Sequence, residues 1–227
     1  MLASASHCAA RALHSLSASA CCSGRRTFNV VPMVIESVPG GERSMDIWSM
    51  LLKKRIVFLQ GEITDASATS LIAQMLYLES VHKNEAIQMY INSPGGSVSA
   101  GLAIYDTMNY ISTPVETLVA GQASSMASLL LSSGEPGKRR ALPNSRIMLH
   151  QPLGGTSGQA SDVLIQAREM ERTKRRIVQI YAERTGQARG LIEERIDRDF
   201  WLTPEDAADF GIIDTVVQKR VLAGEGG

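Results

Sequence analysis

Ser124 and Ser125, within Gly121-Gln122-Ala123-Ser124-Ser125-Met126-Ala127, are the side chains best placed for nucleophilic chemistry. Small residues crowd a predicted turn between an apolar strand at 116–120 and a short helix at 125–131. A serine at a helix N-terminus exposes its hydroxyl, and the free N–H groups beside it can receive an oxyanion. The spacing is not G-x-S-x-G: Gly121 is too far from either serine, and Ala127 stands where a second glycine would be. Spacing does not choose between Ser124 and Ser125, and a capping serine pair on a small-residue turn fits the same residues. A base must accompany the nucleophile. His82, in the polar helix end Ser80-Val81-His82-Lys83-Asn84, reads as solvated. His150 closes the apolar run Arg146-Ile147-Met148-Leu149, and α/β ligand sites collect outside the carboxyl ends of strands. A satisfied structural histidine fits that place as well.

Other chemistries fare worse. Asn92-Ser93-Pro94-Gly95-Gly96-Ser97 leaves a strand and opens a helix, as a phosphate cradle would, but lacks the Walker lysine and the dinucleotide spacing. Gly134-Glu135-Pro136-Gly137-Lys138-Arg139 has too few residues between its glycines, and arginine where a P-loop needs Ser or Thr. Nucleotide binding by this chain is therefore rejected. No clustered ligand set for a metal is visible. The balance of 23 basic and 23 acidic residues argues against a dedicated nucleic-acid binder. No apolar run approaches the roughly 20 residues that span a bilayer.

The totals average over two unlike segments. Residues 1–35 contain no Asp or Glu, whereas Arg11, Arg25, Arg26 and six serines lie there. A basic, serine-rich, acid-free N-terminus reads as an organellar transit peptide, here 1–26 with a boundary extending to residue 32; a disordered tail or weak secretory signal is the alternative. Cys8, Cys21 and Cys22 all lie inside it. Its removal takes away three arginines and every cysteine, leaving 20 basic against 23 acidic residues in 27–227, a net charge of −3. Thiol catalysis would go with it.

The body, 27–227, is expected to be a single domain. Strands are predicted at 56–59, 86–91, 116–120, 146–150 and 212–217. Helices are predicted at 65–78, from the stripe Ala68, Leu71, Ile72, Met75 and Leu76, and over Val98, Leu102, Tyr105 and Met108. This alternation implies an α/β domain with a largely parallel sheet. The longest helix is expected over 161–183, with Val163, Ala167, Met170, Ile177 and Tyr181 on one stripe, Lys174 among them, and Gly186 as its stop. So thin a stripe suits packing on its own domain or against another subunit equally well. Thr203-Pro204-Glu205-Asp206 starts a last helix that Gly211 ends.

Three motifs in order, Tyr90-Ile91-Asn92-Ser93-Pro94-Gly95-Gly96, Ala123-Ser124-Ser125-Met126-Ala127 and His150-Gln151-Pro152-Leu153-Gly154-Gly155, resemble the ClpP family, the proteolytic subunits of the Clp protease. The likeness runs from Glu42-Arg43-Ser44-Met45-Asp46-Ile47 through Asp197-Arg198-Asp199-Phe200 to Gly211-Ile212-Ile213-Asp214. It implies a ClpP/crotonase-like fold of repeated ββα units wound as a superhelix, with a protruding handle helix. It implies Ser125 as nucleophile, His150 as base and Asp199 as the triad acid, in a run that would otherwise read as surface ion pairs. The family usually has alanine where Ser124 stands. By the same likeness the N–H groups of Gly96 and Met126 form an oxyanion hole. Pro152, Leu153, Gly154 and Gly155 become the edge on which an extended substrate adds as a strand, the glycines leaving room for any side chain.

The resemblance also implies an assembly of two stacked heptameric rings, fed with unfolded polypeptide by a hexameric AAA+ unfoldase of the ClpX, ClpA or ClpC type. The unfoldase would spend the ATP, so this chain needs no cofactor. Tyr90 and Tyr110 match docking positions for unfoldase loops, and residues near 32–41 the axial pore loops. Asp197 and Arg198 match a charged pair that joins the rings, and 161–183 the handle between them. No membrane insertion is expected. Arg25-Arg26-Thr27-Phe28 resembles a matrix-processing site, which favours the mitochondrial matrix over the plastid stroma. Three readings follow: an active serine endopeptidase, a catalytically silent ring subunit, or a crotonase-type acyl-CoA enzyme on the same superfold.

Overall fold

A computed structural model describes residues 31–39 and 41–218. The expected transit segment and the three cysteines lie outside the described residues. Strands β1 (Met33–Val38) and β2 (Gly41–Asp46) pair as an antiparallel hairpin over the stretch expected to supply the pore loop. Helix α1 (Ile47–Lys53) follows, with the Asp46 carboxylate accepting from the Ser49 N–H at 3.0 Å.

The main sheet begins with β3 (Ile56–Gln60). Helix α2 (Asp65–Val81) starts on a capping box in which the Thr64 hydroxyl accepts from the Ser67 N–H. It buries Ala68, Leu71, Met75 and Leu78, whereas Leu76, expected in the stripe, is exposed. The 3-4-3 spacing of the buried four keeps them on one line of the helix, and Leu76 turns about 100° away from Met75. Strand β4 (Ile87–Ser93), helix α3 (Val98–Tyr110), strand β5 (Val115–Ser124) and helix α4 (Met126–Ser132) continue the alternation. Then come β6 (Arg139–Ala141), β7 (Arg146–Leu149), α5 (Ala160–Thr185), α6 (Arg189–Arg195), β8 (Phe200–Leu202), α7 (Pro204–Phe210) and β9 (Thr215–Val216). The order β3-β4-β5-β6-β9 is parallel throughout. This is the expected α/β fold. The final strand is shorter than the expected 212–217, because Gly211 (φ 91°) ends α7 in a turn that folds the Ile212 N–H back onto the Ala207 carbonyl, burying Ile212 and Ile213.

Strand β5 is longer than expected, and the extension matters. Residues 121–124 are not a turn. Thr117–Val119 pair with β6, then the strand bulges and Gln122–Ser124 pair with β7. Ile91 faces Val119 but Ser93 faces Ala123, so extra residues of β5 are accommodated opposite Asn92. Gly121 (φ 107°) sits in the bulge, where a Cβ would stand 2.7 Å from the Asn92 Oδ1. Glycine and small residues thus mark a forked strand where their composition suggested a loop.

Helix α5 divides the two packing options by halves. Ile177, Val178, Ile180 and Tyr181 are buried in the core, while Leu164 and Ile165 are exposed and Val163 and Met170 only half-buried. The C-terminal turns belong to the domain and the N-terminal turns protrude as a handle.

Candidate active site

Pair register brings three side chains to one edge. Ser124 of β5 lies opposite Met148 of the parallel β7, so Ser125 and His150 leave adjacent strand ends together. Leu149 of β7 lies opposite Phe200 of the antiparallel β8, which places Asp199 across from His150. The His150 Nε2 is 2.9 Å from the Ser125 Oγ, and its Nδ1 is 3.1 Å from the Asp199 Oδ1. The imidazole is largely buried, but the Asp199 carboxylate is 60% exposed. Gln151 supports this edge: its N–H donates to the Ile196 carbonyl at 2.7 Å and its Nε2 to the Asp197 carbonyl at 3.0 Å, tying the loop before Asp199 to the residue after His150.

Ser125 itself forms the turn. It holds φ 55° and ψ −124°, between the last residue of β5 and the first of α4. Among the described residues Arg55 is the only other non-glycine with positive φ. A serine on a strained strand-to-helix turn is the geometry of a nucleophile elbow, although the sequence lacks the elbow's glycine spacing. Ser125 stands at the N-cap position but makes no side-chain capping bond, so the capping reading fails for it. Ser124 points elsewhere: it is buried, its Oγ without a hydrogen-bond partner in the described structure. Of the two serines, only Ser125 reaches the imidazole.

The glycine turn closes on the elbow. A Cβ on Gly95 (φ 94°) would stand 2.7 Å from the Ser124 carbonyl oxygen, 2.8 Å from the Ser125 Cβ and 3.2 Å from the Met126 nitrogen. Gly96 bridges Ile63, and the bonds there use the Gly95 carbonyl and the Ser97 N–H, leaving the Gly96 N–H outside the ladder. Met126 is the first residue of α4, so its N–H has no intrahelical acceptor. The Gly96 and Met126 N–H groups are thus both left without a ladder or helix acceptor.

Beyond His150 the chain runs without regular structure to α5. Gln151, Pro152, Gly154, Gly155 and Thr156 form one wall of a groove of about 330 Å³, and Val163, Ala167, Met170, Glu171 and Lys174 of α5 form the other. Leu153 is exposed, Gly155 opens onto free space, and Gly154 lies against the flexible end of Met170. Away from the site, Tyr90 is half-buried against Phe58, with ring centroids 5.5 Å apart, and Tyr110 is 83% exposed at the end of α3. Asp197 and Arg198 are both exposed, 3.8 Å apart. His82 is exposed at the end of α2. Among the described residues no cluster of His, Cys, Asp and Glu could hold a metal, and no helix is long and apolar enough to cross a membrane.

The sequence pointed to neither Gln151's tie to Asp197 nor Ser128 and Tyr181, which meet beneath the elbow. The one available signal was a tyrosine at the end of a mostly apolar helical stripe, since a phenol that becomes buried needs a partner.

A hydroxyl, an imidazole and a carboxylate in hydrogen-bond sequence at the carboxyl ends of an α/β sheet define a constellation of the serine-hydrolase kind. The family model described as Clp protease matches residues 39–220, and the chain belongs to that family. The protein is a ClpP-type peptidase, of a family that generally forms rings working with AAA+ unfoldases.

Proposed function

We propose that the chain is a serine endopeptidase subunit that cleaves unfolded polypeptide through a Ser125–His150–Asp199 triad. The observation that carries this is the pair of contacts at His150, 2.9 Å to the Ser125 Oγ and 3.1 Å to the Asp199 Oδ1. His150 takes the proton of Ser125 as the hydroxyl attacks the scissile carbonyl, and returns it to the leaving amine; Asp199 holds the proton on Nδ1 so that Nε2 is free to accept. The Gly96 and Met126 N–H groups receive the oxyanion. Water then attacks the acyl-enzyme with His150 again as base. The groove beside Pro152, Leu153, Gly154 and Gly155 takes the peptide as an added strand, with backbone bonds supplying affinity without sequence selection.

In this reading two heptameric rings stack through the protruding half of α5 and the Asp197–Arg198 pair. A hexameric AAA+ unfoldase docks at the surfaces carrying Tyr90 and Tyr110 and hydrolyses the ATP, so this chain uses no cofactor. The acid-free N-terminus directs the precursor to the mitochondrial matrix.

A fluorophosphonate probe, with peptide mass spectrometry of the adduct, tests the catalytic assignment. The expected adduct is on Ser125 and is lost in His150→Ala. Assembled rings that take no label would make this a silent structural subunit, and label on Ser124 would refute the choice of serine. Tracking a fusion of residues 1–40 tests the compartment.

A further inference from the structure

The handle helix reaches under the nucleophile. Tyr181, in the buried half of α5, is 1% exposed, and its hydroxyl lies 2.8 Å from the Ser128 Oγ and 3.2 Å from the Ser125 carbonyl oxygen. Ser128, fully buried in α4, reaches the same carbonyl at 2.7 Å and the Met148 carbonyl at 2.8 Å. Met148 in turn accepts the Ser125 N–H at 2.8 Å. Both peptide groups flanking Ser125 are therefore tied to one hydroxyl pair. Burial pushes the Tyr181 phenol above its ordinary range, against a smaller opposing effect of the bond to Ser128, so it stays protonated and able to donate.

We infer that Tyr181 and Ser128 are positioning residues for the oxyanion donor, acting through the Ser125–Met126 peptide. A trans peptide is planar, with its C=O and N–H antiparallel. Together with the Ser128 and Leu129 N–H groups, which donate to the same oxygen at 3.0 and 3.3 Å, the two hydroxyls hold the Ser125 carbonyl, and this directs the Met126 N–H the opposite way, out of the N-terminus of α4. The hydroxyls also polarise that peptide, which strengthens its N–H as a donor. They offset part of the cost of the strained Ser125 backbone, which persists only where its surroundings over-determine it. This inference rests on the proposed triad and on Met126 as an oxyanion donor.

The test uses the assembled protein, a fluorogenic peptide substrate and a peptide boronate, which forms a tetrahedral adduct at the serine. Tyr181→Phe removes only the hydroxyl. The expected result is a fall in kcat of roughly 5- to 30-fold, with KM within about twofold and boronate affinity falling in step with kcat. Ser128→Ala should do the same, and the double variant should be little worse than either single one, because the two hydroxyls act as one relay. Unchanged kcat and boronate affinity in folded, assembled Tyr181→Phe would overturn the inference. So would losses in kcat that simply track a lower melting temperature in both variants, since a merely structural role predicts that. Failure of the triad reading is seen separately, as absence of fluorophosphonate label on Ser125 in the unsubstituted chain.

Discussion

Ser125 occupies a backbone conformation that costs about 1–3 kcal/mol for a non-glycine residue, and the residues around it are chosen to tolerate it. Gly95 is the one that meets the elbow backbone directly, because it packs where any side chain would press on Ser124 and Ser125. Gly95→Ala should lower stability by roughly 1–3 kcal/mol, and slow fluorophosphonate labelling of Ser125 by at least about tenfold, since small displacements of a nucleophile cost much of its reactivity. Denaturant unfolding and labelling kinetics on the same preparation check both. Gly190→Ala, in open space on α6 and away from the groove, should neither lower stability nor slow labelling and serves as the comparison.

Between elements, Arg139 is the joint. Its guanidinium donates to the carbonyls of Ser132, Arg184 and Gly211, at the C-terminal ends of α4, α5 and α7, and forms a paired contact with Asp214 at 2.5 and 3.0 Å. A cation there meets the negative ends of three helix dipoles at once. Burial works to raise the Asp214 pKa, but the side-chain and backbone hydrogen bonds from Arg139 and its charge outweigh it and hold the carboxyl below its ordinary value of 3.8. A depressed folded-state pKa contributes stability that is fully present above the unfolded value and is lost as pH falls through the folded one. The unsubstituted chain should therefore lose this contribution below about pH 4. Asp214→Asn should be less stable at neutral pH and show a flatter acid limb. Denaturant midpoints measured between about pH 3 and pH 7 read both, and identical slopes for the two chains would sink the assignment.

For the whole molecule, the protruding half of α5 is apolar surface that the chain does not itself cover: Leu164 and Ile165 are 58% and 60% exposed. In the proposed ring pair that surface is buried against the opposite ring. Leu164→Asp with Ile165→Asp should leave each subunit folded, because neither side chain enters the core, but should shift sedimentation from paired rings toward single rings or smaller species. Unchanged assembly would remove α5 from the ring contact. The C-terminal half of the same helix carries Tyr181 to the elbow, so the proposed ring contact and the proposed oxyanion donor would draw on one helix.

Apolar runs and helical periodicity laid out β3, β4, β5, β7, β9 and helices α2 to α5 and α7, because burial in an α/β sheet repeats at short range along the chain, but they passed over the β1–β2 hairpin and the short α1, β6, α6 and β8. Local chemistry likewise placed the Thr203 cap, the Gly211 stop and the turn before Ser97. The motifs carried the family, and with it Ser125, His150 and Asp199 as expectations. Only the tertiary structure decided what depends on register. The bulge at Gly121 extends β5 to Ser124, makes Ser125 the whole turn and leaves Ser124 buried. The β5–β7–β8 pairing then lines up residues that are 25 and 49 positions apart in the chain. Strand pairing is a non-local choice, set by how the bulged β5 fits its partner strands, and no spacing along one strand encodes it. The same holds for Tyr181, which is one more apolar position on a helical stripe until folding puts a carbonyl oxygen within reach of its hydroxyl.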